Sequence, residues 1–224
     1  MAFHAIQFSL FLMPLALLGI VVASAVAMFE GQLKRVLAFS SVAQIGYIIL
    51  GASLLSQEGL TASMIHMFNH ALAKGALFLS VACLGMRFLD LRIDALAGAA
   101  KQMPITAAIF VIGGLSLIGV PGTAGFISKW VLITALLDHG EQGIVMVAIV
   151  LVSSLMALVY IWRTVEVLYF KEAESGAAKL SEAPILMLLV AGTLALLNIV
   201  FGLMPSIPLQ LSEQAALVLM GGAS

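Results

Sequence analysis

Residues 104–137 read PITAAIFVIGGLSLIGVPGTAGFISKWVLITALL. The run is apolar for 34 residues apart from Lys129 and a few hydroxyls. A straight helix needs about 20 residues to cross the hydrocarbon layer. The run is therefore too long for one straight crossing and too short for two with a loop. Gly119, Pro121, Gly122 and Gly125 interrupt its middle and break a helix there. The pattern predicts one discontinuous crossing: a half-helix over 104–118, an unwound segment over 119–125, and a second half-helix over 126–137. Pro104 suits a first helical position, and Lys129 falls just past the break. Broken helices at mid-membrane recur at ion sites, because freed backbone groups and helix ends face the path.

The rest of the chain has the same character. Its 224 residues are 62% hydrophobic and 9% charged, with mean hydropathy +1.17, where a soluble domain carries about 25% charged residues. The composition is that of an all-α integral membrane protein built as a single transmembrane domain over 1–224. A net charge of −1 gives no reason to expect a nucleic-acid partner. The opening run lacks the basic start of a signal peptide and is too long for one. It reads as a first span, 6–28, which Pro14 can kink. Further spans are expected at 36–55, 61–86, 144–170 and 184–204, about six with the broken one, and 206–220 reads as a short amphipathic tail. Ser40, Ser41, Gln44 and Tyr47 mark the second span as packed rather than lipid-facing.

Charge sets the expected sidedness. With one broken crossing, the loops at 30–35, 87–103 and 171–182 share a side. Lys34, Arg35, Arg87, Arg92, Lys101, Arg163, Lys171 and Lys179 lie there or at its edge. The opposite side carries Glu58, Asp138, Glu141 and Glu213. Counting 104–137 as two crossings would scatter the basic residues, so the bias favours one. Both termini are then expected outside, which in the inner (plasma) membrane of a bacterium is the periplasmic side.

Residues 61–86, TASMIHMFNHALAKGALFLSVACLGM, hold the most unusual polar pattern. His66, His70 and Lys74 recur at i, i+4, i+8 and so stack on one helix face. Lys74 is near mid-span, where a charge is most costly, so this face is expected to look into protein or a water-filled path. Two imidazoles and an amine in a row can pass protons. Lys129 is the other deep basic residue, and no Asp or Glu reaches the same depth. Glu166 lies near the inner surface with Arg163 as a possible partner. The two deep ammonium groups are therefore expected either to exchange protons or to meet a carboxylate from a neighbouring chain. Plainer structural roles stand beside these: Lys74 held by carbonyls or snorkelling, His66 in an interhelical hydrogen bond, Lys129 as an interfacial anchor, and Lys34 and Arg35 as topology anchors. His66 and His70 have helical metal-ligand spacing, but no carboxylate or cysteine completes a shell, so no metal is expected. Cys83 stands alone, and without a P-loop or dinucleotide motif no cofactor is expected.

Three stretches carry a family resemblance: LKRVLAFSSVAQIGYIILG (33–51), HMFNHALAKGALFL (66–79) and MPITAAIFVIGGLSLIGVPGTAGFISKW (103–130). They resemble the antiporter-like membrane subunits shared by respiratory complex I, membrane-bound hydrogenases and multisubunit Mrp-type cation/proton antiporters. PGTAGFISKW followed by VYIWRTVEVLYF (159–170) is most similar to the D-type subunit of the Mrp-type sodium/proton antiporter. The resemblance implies two inverted five-span repeats, of which this chain matches the second plus a terminal span. By resemblance His66, His70 and Lys74 match a central proton relay, Lys129 the lysine of the second broken helix at an exit half-channel, and Lys34 a lysine linking the two halves. The first repeat has no counterpart here. The implied function is proton translocation within a multisubunit membrane complex, with H+ and Na+ as the ions and a transporter rather than an enzyme as the class. The alternatives are a proton-pumping subunit of an NADH-quinone oxidoreductase or membrane-bound hydrogenase, and a scaffold without transport. Lys74 and Lys129 would couple by like-charge repulsion, which at roughly 8 Å and an effective dielectric of about 20 amounts to about 2 kcal/mol.

Overall fold

Helix α3, Gln57–Gly85, is the post on which several of the other helices lean. The structure is a computed structural model that describes residues 2–172 and 181–221. The order is α1 Ala2–Phe29, α2 Leu33–Ser53, α3, a 3₁₀ turn Ile93–Leu96, α4 Ala99–Gln102, α5 Pro104–Ile118, α6 Ala124–Leu137, α7 Gly140–Phe170, α8 Ile185–Leu203 and α9 Ser206–Leu219. No strand occurs among the described residues, and the β-type pairing is an isolated antiparallel bridge, Gln32 with Arg92. Five helices, α1, α2, α3, α7 and α8, are long and apolar enough to cross a membrane. α5 and α6 have 15 and 14 residues, about 22 and 21 Å of helix, so neither spans a layer of about 30 Å alone. Together they form the broken crossing. Its start is sharp, because the chain turns 119° between Ile93–Gln102 and α5.

α3 begins with Ser56, whose hydroxyl accepts from the Gly59 N–H at 3.0 Å. α5 begins differently. Met103 offers it no side-chain cap. Instead Glu182, distant in sequence, accepts from Ile105 N–H at 2.6 Å, Thr106 N–H at 3.3 Å and the Thr106 hydroxyl at 2.7 Å. A carboxylate there satisfies orphan donors and complements the positive end of the helix.

The basic segments gather at one end of the bundle. Leu33 N–H donates to Leu91 O at 3.0 Å and Ile93 N–H to Gly31 O at 2.9 Å. Gly98 N–H reaches Val167 O at 3.1 Å, Lys171 meets Asp94 at 3.5 Å, and Arg87 donates to Glu182 O at 2.8 Å. Lys179 lies outside the described residues. Glu30 accepts from Gly31 N–H at 2.9 Å and Gln32 N–H at 3.0 Å and pairs with Arg35 at 3.1 Å. The Gln32 amide first, with Gly31, Arg35 and Arg163, holds its carboxyl below the usual range. Arg163 does not pair with Glu166, which is exposed. Its guanidinium donates to Met28 O at 2.7 Å and to Glu30 O. These are free carbonyls at the end of α1, where a cation is electrostatically favoured.

The core has two main parts. One gathers Leu33, Leu37, Leu77, Leu84, Phe110 and Tyr160 near the loop-rich end. The other gathers Ile20, Tyr47, Leu50, Leu132, Leu136 and Val150. The polar row of α3 runs between them.

Candidate functional site

The i, i+4, i+8 spacing on α3 places His66, His70 and Lys74 on a face covered by α2 and the broken helix. His66 is 2% exposed and Lys74 7%, and His70 is half-buried. The two imidazoles stack with planes 6° apart and centroids 6.2 Å apart. Lys74 Nζ turns to α2, donating to Leu37 O at 2.6 Å and Ser40 Oγ at 2.5 Å, with the Phe78 ring 5.5 Å away. Its ammonium is thus held by neutral oxygens of this chain. His70 Nδ1 is buried without a hydrogen-bond partner.

The break supplies the second lysine. α5 ends in a Schellman arrangement: Val120 N–H donates to Leu115 O at 3.0 Å and Gly119 N–H to Ser116 O at 3.1 Å. Gly119 has φ +90°, a left-handed conformation that glycine adopts without strain. The closure leaves the carbonyls of Leu117 and Ile118 unused. Lys129 Nζ takes them at 3.0 and 2.8 Å and adds Ser154 Oγ at 2.9 Å. The negative end of α5 therefore meets the ammonium of α6, and the Tyr47 ring lies 5.1 Å from that ammonium. The second half-helix passes so close that a Cβ on Gly125 would overlap the Ser116 carbonyl oxygen.

His66 joins the α3 row to the break. Its Nε2 contacts Gln44 Oε1 at 3.0 Å and its Nδ1 contacts Ser128 Oγ at 2.9 Å. A carbonyl oxygen only accepts, so Nε2 carries a proton. Ser128 has one hydroxyl proton and two acceptors in reach, His66 Nδ1 and Gly125 O at 3.1 Å. With neutral His66, Ser128 donates to Nδ1. With imidazolium, Nδ1–H donates to Ser128, which turns its proton to Gly125 O. The charge on His66 is thereby read by a carbonyl in the first turn of α6. A cavity of about 10 Å³ lies among Gln44, His66, Asn69, His70, Ser116 and Ser128, close to the volume that admits one water molecule. Asn69 donates to Ala124 O at 2.7 Å while its Oδ1 is buried without a partner.

His66 reaches the break through Ser128, Gly119 and Gly125 lie at the break with Lys129, and His70 and Lys74 follow His66 on the same face of α3, whereas Pro121 is exposed and Gly122 lies against Leu203 of α8. Lys34 is apart, exposed in the first turn of α2, and none of the hydrogen bonds or ion pairs of the described residues joins it to the row. The sequence pattern did not point to Asn69, Ser128 or Ser154. Ser128 alone carried a signal, since it precedes Lys129 in the first turn past the break.

The family described as NADH:quinone oxidoreductase/Mrp antiporter, transmembrane, matches residues 1–157. The chain belongs to this family. NADH-quinone oxidoreductase subunit N of Desulforudis audaxviator is 39% identical over 171 residues, 76% of this chain and 34% of the relative. F(420)H(2) dehydrogenase subunit N of Methanosarcina mazei is 31% identical over 219 residues, 92% of this chain and 43% of the relative. Among solved structures, the Mrp complex from Dietzia sp. DQ12-45-1b contains a chain that superposes with TM-score 0.87 at 25% identity, covering 95% of this chain and 47% of that one. The chain thus spans less than half the length of each of these antiporter-like relatives. It is a multi-span, all-helical member of that family, and neither its Mrp-type nor its oxidoreductase relatives stand alone as its kin.

Proposed function

We propose that this chain is part of a proton-translocating membrane subunit, in which His66, His70 and Lys74 form a relay and Lys129 exchanges protons at the helix break. The observation that carries the reading is the His66–Ser128 contact at 2.9 Å, which ties the α3 row to the turn that bears Lys129. Protonation of His66 turns the Ser128 hydroxyl toward Gly125 O, and like-charge repulsion couples the row to Lys129. Lys34, exposed at the start of α2, is assigned the link to a preceding half of the fold, and the partners are further subunits of a membrane complex. The basic end of the bundle faces the cytoplasm and both ends of this chain face outward across the plasma membrane.

The finer reading is a subunit of a multisubunit sodium/proton antiporter. The PGTAGFISKW motif and the superposition on a chain of an Mrp complex support it. A redox-driven proton pump is the second reading, favoured by the 39% identity to an oxidoreductase subunit N. Everted vesicles carrying the intact complex test both. Proton movement is followed after adding sodium or a reduced electron donor, with wild type and Lys74→Ala, and assembly is checked by blot. Sodium-driven exchange lost in Lys74→Ala is expected. A response to the donor alone selects the second reading. Exchange that survives Lys74→Ala overturns the relay and leaves a structural role.

A further inference from the structure

The last residues of α8 lie directly on the unwound segment between α5 and α6. That segment is a tight turn rather than slack chain. Val120 O accepts from Thr123 N–H at 3.2 Å and from the Thr123 hydroxyl at 2.7 Å. Pro121 and Gly122 fill the two central positions, and Gly122 has φ +88°. Proline followed by a glycine at positive φ is the signature of a type II turn. At one end of the segment the Lys129 stem lies close, since a Cβ on Gly119 would fall 2.9 Å from Lys129 Cδ. At the other end Gly202 of α8 is nearer still. A Cβ on Gly202 would fall 2.4 Å from Gly122 O and 2.4 Å from Thr123 Cα. Ordinary contact begins at 3.4 Å, and both neighbours are main-chain atoms that no rotamer change moves aside. α8 is itself held on α3. A Cβ on Gly75 would fall 2.7 Å from Leu194 Cδ1, and the Phe201 ring stands 5.5 Å from that of Phe68.

We propose that Gly202 is a positioning residue for Lys129. By letting α8 lie on the turn, it sets where the turn sits against the end of α5, and so how Lys129 reaches its carbonyls. The inference rests on the reading of Lys129 as a proton-exchanging group. Lys129 is shared by the two elements that the turn joins. Its Nζ binds Leu117 O and Ile118 O of α5 at 3.0 and 2.8 Å. Its stem rises from α6, for which Thr123 is the N-cap. A displaced turn therefore moves the lysine against its own acceptors. A side chain at 202 needs a displacement of about 1 Å to regain ordinary contact. Half of that takes both bonds past about 3.2 Å, the outer edge of normal hydrogen-bond length. The ammonium depends on these acceptors more than the neutral amine does. The contact at Gly202 thus acts on the balance between the two forms as well as on packing.

The test follows proton exchange against pH in everted vesicles carrying the whole complex, after assembly is checked by blot. α8 holds its own control, because a Cβ on Gly192 meets nothing within 4 Å. Gly192→Ala is expected to match wild type in rate and pH profile. Gly202→Ala is expected to slow exchange and to displace the pH of half-maximal rate by about one unit, the worth of one hydrogen bond to a charged group. An unmoved profile in Gly202→Ala overturns the proposal whatever the rate, since lost packing alone lowers the rate and leaves the profile in place. An equal displacement in Gly192→Ala also overturns it. Thr123→Ala removes the hydroxyl bond to Val120 O and adds no bulk, and it is expected to displace the profile as well. If Gly202→Ala does not assemble, Thr123→Ala decides, and an unmoved profile there overturns the proposal. Lys129→Ala separates this proposal from the reading beneath it. Exchange that persists in Lys129→Ala overturns the reading of that lysine and the role of Gly202 with it.

Discussion

Replacing Ser128 by alanine removes the link between the α3 row and the broken helix without touching a titratable group. The hydroxyl sits 2.9 Å from His66 Nδ1 and 3.1 Å from Gly125 O. In the neutral state its loss removes an ordinary hydrogen bond, worth about 0.5–1.5 kcal/mol. In the imidazolium state it removes one to a charged group, worth about 1.5–3 kcal/mol. The charged state is therefore penalised by about 1 kcal/mol more, which lowers its share roughly fivefold. If transport passes through that state, Ser128→Ala is expected to slow proton exchange in vesicles about fivefold at unchanged assembly. Ser128→Thr, which restores a hydroxyl, is expected to recover most of the rate. Normal exchange in Ser128→Ala with normal assembly refutes the reasoning. So does an equal loss in Ser128→Thr, since that would point to packing.

Two further predictions concern the loop-rich end. Glu182→Ala strips the first turn of α5 of the carboxylate that caps it, a loss of about 0.5–2 kcal/mol by analogy with helix caps. Hydrogen exchange at Ile105 and Thr106 is expected to accelerate by up to about thirtyfold while α6 is unaffected, and unchanged protection would refute the cap. Glu30 has a folded-state carboxyl held below its ordinary value of 4.5, chiefly by the Gln32 amide. Its contribution is present above that value and is lost as pH falls through the lower folded one. Thermal unfolding followed between pH 8 and pH 3 is expected to show no contribution from Glu30 to any change above about pH 5. Below that, a fall in stability is expected that Glu30→Gln diminishes, and identical profiles for the two proteins would refute it.

The legible features were those that sequence periodicity or backbone chemistry determines. The i, i+4, i+8 row on α3 follows from helical spacing alone. The break follows from glycine and proline at 119–125, and Gly119 takes the left-handed conformation that most other residues resist. What could not be read was the set of acceptors. Lys74 is held partly by Leu37 O and Lys129 by Leu117 O and Ile118 O, and a main-chain carbonyl leaves no trace in a sequence. Arg163 shows the same effect, because a nearby Glu166 invited a pairing while the end of α1 offered unused carbonyls. The His66–Ser128 contact crosses 62 positions and exists only through the packing of α3 on α6. Lys34 shows the converse, since a stretch that resembles the family closely does not tell which of its side chains points away from the row.

Two of the three oxygens that grip Lys129 belong to peptide groups. Replacing any one side chain leaves both atoms in the chain, and only a rerouted backbone removes them. The socket therefore outlasts its occupant. Should position 129 drift to a neutral residue, the end of α5 still presents two carbonyl oxygens to whatever small cation arrives. The durable part of this site is written in the course of the main chain, and the lysine is the part that a single substitution removes.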